Sequence, residues 1–294
     1  MPLFNLKKLL GDVSGGWCFA SKVKGNENDA KRWFQNTLKH WERLNKTFSS
    51  SETGVCPISG FVFEPEEWSL GVCGKYMNEI GPDEKEAFLV LDEEQKSKKI
   101  YRYNTWSCNC LTYLPWLTNQ IKNLGGVFIQ RQISSLKDLL DHDVVVNCTG
   151  LGARELVPDT KVYPVKGQVY TVRAPWIKHF YDFADNLYVL PKVDSVIVGG
   201  TRFENDHTSE PDPVESKRMW EECCKRVPSL KTAEILQERV GYRPTRDPVR
   251  LEIDSSENIV HCYGHGGAGV TLSWGCAEDV SKLVTKLLLN KSNL

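Results

Sequence analysis

The sequence lacks the signals of several common classes of protein. It contains no CxxC pair, and its ten cysteines are scattered singly apart from Cys108/Cys110 and Cys223/Cys224. Neither a zinc site nor the disulfide framework of a secreted protein is therefore indicated. Basic residues do not cluster and the formal net charge is -1, which argues against nucleic acid as a partner. No apolar run is long enough to span a bilayer, so no membrane partner is expected.

Signals for a nucleophilic enzyme and for secretion are also missing. There is no GxSxG sequence, and none of the six histidines belongs to an HExxH motif or a recognisable triad. No metal site is predicted. The segment from Met1 to Leu10 is interrupted by Asn5, Lys7 and Lys8, so it lacks the apolar core of a signal peptide.

The last three residues, Ser292-Asn293-Leu294, are close in type to the Ser-Lys-Leu peroxisomal address. On this interpretation the chain has a peroxisomal import receptor as a partner and is located in the peroxisomal matrix. Three residues carry little information, and asparagine replaces the usual basic residue. A chance match therefore stays open, with the cytosol as the alternative location.

The C-terminal part of the chain combines a short strand pattern, a glycine loop and a helix pattern. Ile259 to Tyr263 is a β-type run, four glycines lie within Gly264 to Gly269, and apolar residues then recur at helical spacing as far as Leu287. Such a loop lets the backbone approach a ligand, and the helix behind it presents unpaired N–H groups to an anion. Although the glycines match GxGxxG, no second strand with an acidic residue follows, so a nicotinamide-binding motif is rejected. A tight turn before a packed helix is the alternative.

Further elements follow from periodicity, and a chain of 294 residues is long enough for one or two domains. A strand–helix–strand pattern with a glycine-rich segment at Thr149 to Gly152 is typical of a parallel sheet with a ligand at its carboxyl ends. The alternative is a buried strand followed by an ordinary turn. The predicted helices are Asp29 to Leu44, Cys110 to Leu124 and Pro213 to Val227, the last with Trp220 inward. The predicted strands are Val55 to Trp68, Val127 to Gln130, Asp143 to Cys148, Val162 to Ala174, Leu187 to Leu190, Ser195 to Thr201 and Pro248 to Ile253.

Two arginines fall beside predicted strand ends, Arg202 in Gly199-Gly200-Thr201-Arg202 and Arg243 in Gly241-Tyr242-Arg243-Pro244. A guanidinium group matches a carboxylate bidentately, so the pair could grip a dicarboxylic substrate. Surface salt bridging is the alternative for each of them. Arg246 and Arg250 continue the spacing, and one of them could bind a phosphate or simply support the fold. A site with such carboxylate-binding groups but no evident general base suits a redox reaction carried out by a bound cofactor.

Six motifs, taken together and in order, resemble the D-amino-acid oxidase family, and the resemblance runs from about Asp12 to the C-terminus. The motifs are Val145 to Gly152, Pro164 to Val169, Ala174 to Trp176, Gly199 to Arg202, Gly241 to Pro244 and Tyr263 to Gly269. The resemblance implies an α/β (α+β) fold, in which an FAD-binding Rossmann-like domain is interleaved with an antiparallel-sheet substrate domain. It assigns residues 1–20, 105–160 and 241–294 to the FAD-binding domain and residues 21–104 and 161–240 to the substrate-binding domain.

The resemblance also implies an activity and a set of substrate-binding residues. FAD would oxidise a D-amino acid to an imino acid, which hydrolyses to a 2-oxo acid and ammonia, while dioxygen would reoxidise the flavin and yield hydrogen peroxide. Gly-Gly-Thr-Arg and the terminal Lys-Ser-Asn-Leu resemble the D-aspartate oxidase branch most closely. Arg243 would bind the α-carboxylate, Tyr188 would hydrogen-bond the substrate, the Gly267 carbonyl would face the amino group, and Arg202 would meet the side-chain carboxylate.

The resemblance assigns the cofactor contacts to four segments. Gly266, Gly267, Gly269, Val270 and Thr271 would line the pyrimidine edge of the flavin. The other contacts would be Gly16 and Trp17 beside the ring and Ile133, Cys148, Thr149 and Gly150 near the adenosine.

The sequence departs from the family pattern in two places that bear on function. The strand and GxGxxG that open the family and hold the FAD pyrophosphate are missing, so the FAD-binding domain is expected to be incomplete at its N-terminus. The segment from Phe180 to Leu187 contains no arginine, where members that act on acidic substrates carry one. An oxidase of neutral D-amino acids and a truncated, non-catalytic isoform unable to hold FAD are therefore alternatives to an oxidase of D-aspartate.

Overall fold

One mixed sheet runs through the part of the chain that the structure describes, namely Gly25 and residues 27–88, 91–254 and 258–292 of a computed structural model. Its strands are β1 (Val55–Phe63), β2 (Met77–Glu79), β3 (Ile100–Cys108), β4 (Val145–Asn147), β5 (Tyr163–Arg173), β6 (Phe180–Asp182), β7 (Tyr188–Pro191), β8 (Val196–Gly199), β9 (Phe203–Glu204), β10 (Glu234–Ile253) and β11 (Ile259–His265). The order across the sheet is β2-β3-β1-β6-β7-β8-β5-β10-β11-β4, with β9 paired to β5.

The central strands are antiparallel, whereas β6 runs parallel to β1 and β4 runs parallel to β11. The helices are α1 (Glu27–Thr47), α2 (Ser50–Thr53), α3 (Glu67–Cys73), α4 (Pro82–Phe88), α5 (Glu93–Lys96), α6 (Cys110–Asn123), α7 (Ala153–Leu156), α8 (Pro213–Arg226) and α9 (Gly269–Ser292). Short 3-10 turns cover Gly74–Tyr76, Leu136–Leu139, Gly150–Gly152, Pro228–Thr232 and Gly266–Ala268. No helix in these ranges is both long and apolar enough to cross a membrane.

The two faces of the sheet are covered by different apolar clusters. Because successive side chains of a strand point to opposite faces, Val62 packs with one cluster while its neighbours Phe61 and Phe63 pack with the other. Leu190 and Val189 alternate in the same way. The first cluster includes the apolar stripe of α1, and the second includes residues of α8. The sheet is thus buried on both faces, as expected of a mixed α/β fold, and the predicted fold class is confirmed.

Helix α1 packs on the C-terminal helix α9 through a close backbone approach at Gly275. A Cβ atom at this position would lie 2.2 Å from the Trp33 Cα atom. The Trp33 indole N–H donates to Asp279 at 2.7 Å, and Arg32 donates to the same carboxylate at 2.8 Å. The helix predicted from Asp29 to Leu44 is confirmed, because its predicted apolar face is buried.

Most of the other predicted elements are confirmed with small shifts of their ends, but one strand is wrong. Residues 126–130 have no regular secondary structure, and Val127 and Ile129 are 81% and 79% exposed. An apolar run becomes a strand only when a neighbouring strand takes up its backbone hydrogen bonds, and no described strand pairs with this one. The segment predicted from Val55 to Trp68 is a strand only as far as Phe63, since α3 begins at Glu67. The division into two domains stays a prediction.

Candidate active site

Arg243 lies on β10 with its guanidinium group over the backbone of β5. A Cβ atom at Gly167 would lie 2.5 Å from the Nη1 atom of Arg243 and 2.6 Å from its Nη2 atom, so only glycine leaves room for the head group. The Nη1 atom donates to the Thr201 carbonyl oxygen at 3.2 Å. Thr201 is itself held, because its hydroxyl accepts a hydrogen bond from the Gln168 N–H at 2.9 Å. The arginine therefore reaches from β10 across β5 to the segment that follows β8.

Tyr188 meets Arg243 from the opposite direction. It stands directly across from Gly199 in the β7–β8 register, and a Cβ atom at Gly199 would lie 2.6 Å from the Cζ atom of its ring. A Cβ atom at Gly200 would lie 2.8 Å from the same ring. Burial raises the pKa of Tyr188, while the charge of Arg243 and a hydrogen bond to its guanidinium group oppose that rise. The two side chains, of which Arg243 was predicted to bind the α-carboxylate and Tyr188 to hydrogen-bond the substrate, are therefore in contact.

Asp182 joins this pair on the same face of the sheet. It is the direct cross-strand partner of Tyr188 in the β6–β7 pairing, and such partners project from one face with their Cβ atoms about 5 Å apart. Burial, with a smaller contribution from the charge of Asp185, raises the pKa of the Asp182 carboxyl group to about 8. Within the described residues no basic side chain and no hydrogen-bond donor contacts this carboxyl group. Asp182 is half-buried, so a ligand could still reach it.

Arg202 is adjacent to this group in the chain, but its side chain is not in contact with it. The side chain is 41% exposed, and its ion-pair partner is Glu204 at 3.8 Å, beyond ordinary hydrogen-bond length. Because Thr201 touches the Arg243 guanidinium group, the backbone at residue 202 lies next to the arginine–tyrosine pair. The structure thus brings together Arg243 and Tyr188, with Arg202 beside them and held only loosely.

The glycine loop after β11 lies against the same strand that carries Arg243. Gly264 and Gly266 have left-handed backbone conformations, with φ values of 93° and 57°. A Cβ atom at Gly266 would lie 3.0 Å from the Thr245 hydroxyl oxygen, and Thr245 shares a sheet face with Arg243, two residues away. The loop continues as a 3-10 turn, which includes Gly267, into α9 at Gly269. Val270 and Thr271 lie in the first turn of that helix.

A second loop follows β4, the parallel neighbour of β11. Asn147 is buried, and its side-chain oxygen accepts hydrogen bonds from the N–H of Thr149 at 3.2 Å and from its hydroxyl at 2.7 Å. Its amide also contacts His261 Nδ1 at 3.1 Å, so the loop is tied to β11. Gly150 has a φ of 58° and, like Gly266, faces β10, since its Cβ atom would lie 3.5 Å from the Pro244 ring. The two loops are therefore close together at the carboxyl ends of neighbouring parallel strands.

The remaining predicted cofactor residues are less informative. Cys148 is exposed directly after β4, and a hydrogen bond with Cys262 raises the pKa of its thiol. Ile133 lies in an irregular segment and is half-buried. Gly16 and Trp17 lie outside the described residues. Of the terminal tripeptide, only Ser292 is described, and it ends α9.

Several side chains that suggested chemistry in the sequence have structural partners. Arg246 donates to Asp159 at 2.7 Å, and Arg250 donates to the Tyr263 hydroxyl at 2.9 Å. Both contacts support the alternative that these two arginines serve the fold. No group of three or more His, Cys, Asp or Glu side chains in the described ranges is arranged to hold a metal ion.

Three residues of the site were not singled out as site residues from the sequence. Gly167 appeared only as part of a motif, and nothing local to it indicates that an arginine from another strand needs the space. Asp182 and Asn147 become visible only through strand pairing, which sets each of them opposite a partner on a neighbouring strand. The one available signal was the polarity of both residues at the ends of apolar runs.

Glycine loops at the carboxyl ends of parallel strands, followed by a helix N-terminus, are typical of sites that bind a nucleotide cofactor. A family model described as FAD dependent oxidoreductase matches residues 12–283. The chain is 35% identical over 291 residues to D-aspartate oxidase from Homo sapiens, covering 90% of this chain and 81% of that protein. It is 33% identical over 298 residues to D-amino acid oxidase from Dugesia ryukyuensis, covering 95% and 87%.

A solved structure has the same fold. The crystal structure of glycine oxidase from Geobacillus kaustophilus superposes with a TM-score of 0.76 at 15% identity, covering 95% of this chain and 85% of that one. At this level of identity the likeness concerns the fold alone. The chain belongs to the FAD-dependent oxidoreductase family that contains the D-amino-acid and D-aspartate oxidases. The resemblance inferred from the motifs is thereby confirmed, as are the enzyme class and the dependence on FAD.

Proposed function

We propose that this chain oxidises acidic D-amino acids, with D-aspartate as the preferred substrate, to the imino acid that hydrolyses to the 2-oxo acid and ammonia. Dioxygen is the second substrate in this proposal and hydrogen peroxide the second product. The observation that carries it is the position of Arg243, a fixed guanidinium group over Gly167 and in contact with Tyr188. Such a fork holds the α-carboxylate of an amino acid in one orientation, which presents the same Cα–H bond at every turnover.

The glycine loops fit FAD on two observations. The left-handed conformations of Gly150 and Gly266 let both loops pack against Pro244 and Thr245, the residues that follow Arg243 on β10, and the 24-residue helix α9 begins at the end of one of these loops. Gly266, Gly267, Gly269, Val270 and Thr271 would hold the flavin edge, and Cys148, Thr149 and Gly150 would hold the nucleotide. When bound, FAD supplies the two-electron acceptor for the substrate. The chain's own contribution is orientation: Arg243 and Tyr188 bind the substrate, and the Gly267 carbonyl accepts a hydrogen bond from its amino group.

The preference for an acidic side chain has two supports. Arg202 follows Thr201, which contacts Arg243, and its side chain has spare donors because Glu204 holds it only at 3.8 Å. A relative at 35% identity is named D-aspartate oxidase. The second candidate is an oxidase of neutral D-amino acids, and the observation that favours it is the exposure of the Arg202 side chain.

A substrate panel on two variants separates these candidates. The purified chain is supplied with FAD, its flavin absorbance is recorded, and kcat/KM is measured for D-aspartate, D-asparagine and D-alanine. Arg243→Leu should lower kcat/KM for all three substrates by about a hundredfold or more, since every substrate has the α-carboxylate. Arg202→Ala should lower it mainly for D-aspartate, by about tenfold. Equal losses for D-aspartate and D-alanine in Arg202→Ala would contradict the acidic preference, and a protein that stays colourless with added FAD would contradict the oxidase itself.

We also propose that the C-terminal Ser292-Asn293-Leu294 directs the chain to the peroxisomal matrix through the import receptor. The support is the chemical similarity of these residues to a known address. In cells that express the chain with a fluorescent protein at its N-terminus, removal of the three residues should redistribute the signal from peroxisomes to the cytosol. A cytosolic signal from the complete chain would contradict the proposal.

A further inference from the structure

We propose that Asp182 selects for acidic substrates. Its protonated carboxyl group would donate a hydrogen bond to the side-chain carboxylate of the substrate. Acidic substrates would then bind only while Asp182 holds its proton. The inference rests on the proposed function, because it concerns the same substrate site. It adds a specificity-determining residue that the motifs do not contain.

The position of Asp182 follows from the strand register. Asp182 pairs with Tyr188, Tyr188 pairs with Gly199, and Gly199 pairs with Val169, so these four side-chain positions form one transverse row on one face of the sheet. Arg243 projects from the same face, since it contacts Gly167, two residues from Val169 on β5. In the strand order β6-β7-β8-β5-β10, Tyr188 lies between the aspartate and the arginine.

Tyr188 interacts with both groups. The charge of Arg243 lowers the pKa of Tyr188 and the charge of Asp182 raises it, so both groups lie close to its hydroxyl group. A small dicarboxylate with one end on Arg243 and Tyr188 could extend its other end toward Asp182, because Tyr188 lies between these two residues in the strand order. The arginine would hold the α-carboxylate, and Asp182 would be available to the side chain.

The groups around Asp182 favour its protonated form. On β7 it faces Tyr188, and on β1 its register partner is the apolar Val62. The charge of Asp185 acts on Asp182 in addition to burial, and the Asp185 carboxylate is itself held by Arg226 through two hydrogen bonds of 2.6 Å. Arg226 is thus paired with Asp185, and Tyr188 separates Asp182 from Arg243 in the strand order. An isolated carboxyl group with burial around it and an acid as its neighbour keeps its proton at neutral pH.

The two protonation states have opposite consequences for a ligand. A neutral carboxyl group donates a short, charge-assisted hydrogen bond to a carboxylate, which is among the stronger hydrogen bonds in proteins. The ionised form has no donor and repels a second carboxylate. An ionised Asp182 would instead select a cationic side chain, as in D-lysine or D-arginine. The protonation state in the ligand-free site therefore decides which class of substrate is favoured.

Binding of a matched pair of ligands tests this inference without turnover. The full chain, saturated with FAD, is titrated calorimetrically with succinate and with its monoamide succinamate between pH 6 and pH 10. Both ligands keep one carboxylate for Arg243, but only succinate needs a donor at the second position, since an amide can either donate or accept. Above the Asp182 pKa of about 8, succinate affinity should fall about tenfold per pH unit, with uptake of about one proton on binding. Succinamate affinity should stay level.

Two variants complete the experiment. Asp182→Asn keeps the shape and a permanent donor, so succinate affinity should become independent of pH. Asp83→Asn makes the same substitution on the exposed face of α4 and should keep the wild-type profile. The inference is overturned if the wild-type profile for succinate is level, or if Asp182→Asn keeps the fall above pH 8. It is equally overturned if the wild-type enzyme turns over D-lysine faster than D-aspartate at pH 7, since Asp182 would then be ionised.

These outcomes separate this inference from the proposed function. A chain that binds succinate with the expected pH dependence but oxidises no D-amino acid would support the role of Asp182 and contradict the oxidase. A chain that oxidises D-aspartate with no pH difference between wild type and Asp182→Asn would support the oxidase and contradict the role of Asp182.

Discussion

Arg243 occupies the space above Gly167 that any side chain at position 167 would need. The distances of 2.5 Å and 2.6 Å from a Cβ atom there to the two terminal nitrogens of the arginine leave no room for a methyl group. The obstacle is the far end of a flexible side chain and not backbone. An added methyl group would therefore displace the guanidinium group and leave the strands where they are.

Gly167→Ala should raise KM for the amino-acid substrate by about tenfold or more, because a displacement of about 1 Å at a positioning residue has large kinetic effects. Its unfolding midpoint should stay close to that of the wild type. Gly241→Ala is the matched control, since Gly241 is the register partner of Gly167 and nothing lies within 4 Å of its Cβ position. Steady-state kinetics and thermal unfolding of both variants provide the comparison, and equal KM values in the two would show that the guanidinium group does not depend on Gly167.

Thr149 should influence FAD affinity through its hydroxyl group, which donates to Asn147 at 2.7 Å and holds the loop after β4. Thr149→Val keeps the shape and removes this hydrogen bond, whose net value is about 1 kcal/mol, so FAD should bind about fivefold more weakly. Thr149→Ser keeps the hydroxyl and should stay within about twofold of the wild type. Fluorescence titration of the apoprotein with FAD measures both constants. Identical constants for the two variants would mean that the loop does not need this hydrogen bond.

The sequence predicts the elements of this fold better than the contacts between them. Helix α1 could be predicted because Trp33, Phe34, Leu38, Trp41 and Leu44 recur at helical spacing, and that spacing is a local property. The segment from Val127 to Gln130 has an equally good strand pattern but is not a strand. Strand formation depends on a partner elsewhere in the chain, and no local pattern reports whether that partner is present.

For the site, too, single residues could be predicted better than the contacts between strands. Arg243 and Tyr188 could be identified from motifs, and the structure brings them into contact. The pairing of Asp182 with Tyr188 could not be predicted, because it depends on the register of two short strands joined by five residues. A shift of one residue would turn Asp182 to the other face of the sheet. The contact of Arg202 with the substrate stays a prediction, because its side chain is exposed beside the arginine–tyrosine pair and sequence position alone does not fix the direction of a long side chain.

His40 should make the stability of the chain depend on pH. It is 7% exposed, stacks on Trp274 with ring centroids 3.3 Å apart, and has Tyr113 as its polar neighbour at 3.4 Å. Burial, helped by the charge of Arg43, lowers the pKa of His40 from 6.5 to about 4. Because the unfolded chain takes up the proton first, this stability is fully present above pH 6.5 and is lost as the pH falls toward 4.

The expected loss from His40 between pH 7 and pH 5 is about 2 kcal/mol, at about 1.4 kcal/mol per pKa unit. Urea unfolding of the wild type and of His40→Gln at both pH values isolates this amount from the titration of other groups. The variant should lose about 2 kcal/mol less than the wild type over this range. An NMR titration in which His40 takes up its proton near 6.5 would contradict the assignment.

Gly275→Ala should destabilise the chain strongly, because its Cβ atom would meet backbone and not a movable side chain. The nearest atoms are the Trp33 Cα at 2.2 Å and the Trp33 carbonyl oxygen at 2.4 Å, so α1 and α9 would have to separate. Separation would also strain the hydrogen bond from Gly275 N–H to the Thr37 hydroxyl at 3.2 Å. Overpacking of this kind costs about 1–3 kcal/mol or more.

Gly71→Ala in α3 is the matched control, since only the Glu27 carboxylate lies near its Cβ position, at 3.6 Å. In an open helical position this change should stabilise the chain by roughly 0.5–1 kcal/mol. Urea unfolding midpoints should therefore move in opposite directions for the two substitutions, and a Gly275→Ala variant as stable as the wild type would mean that α1 and α9 do not pack through this glycine.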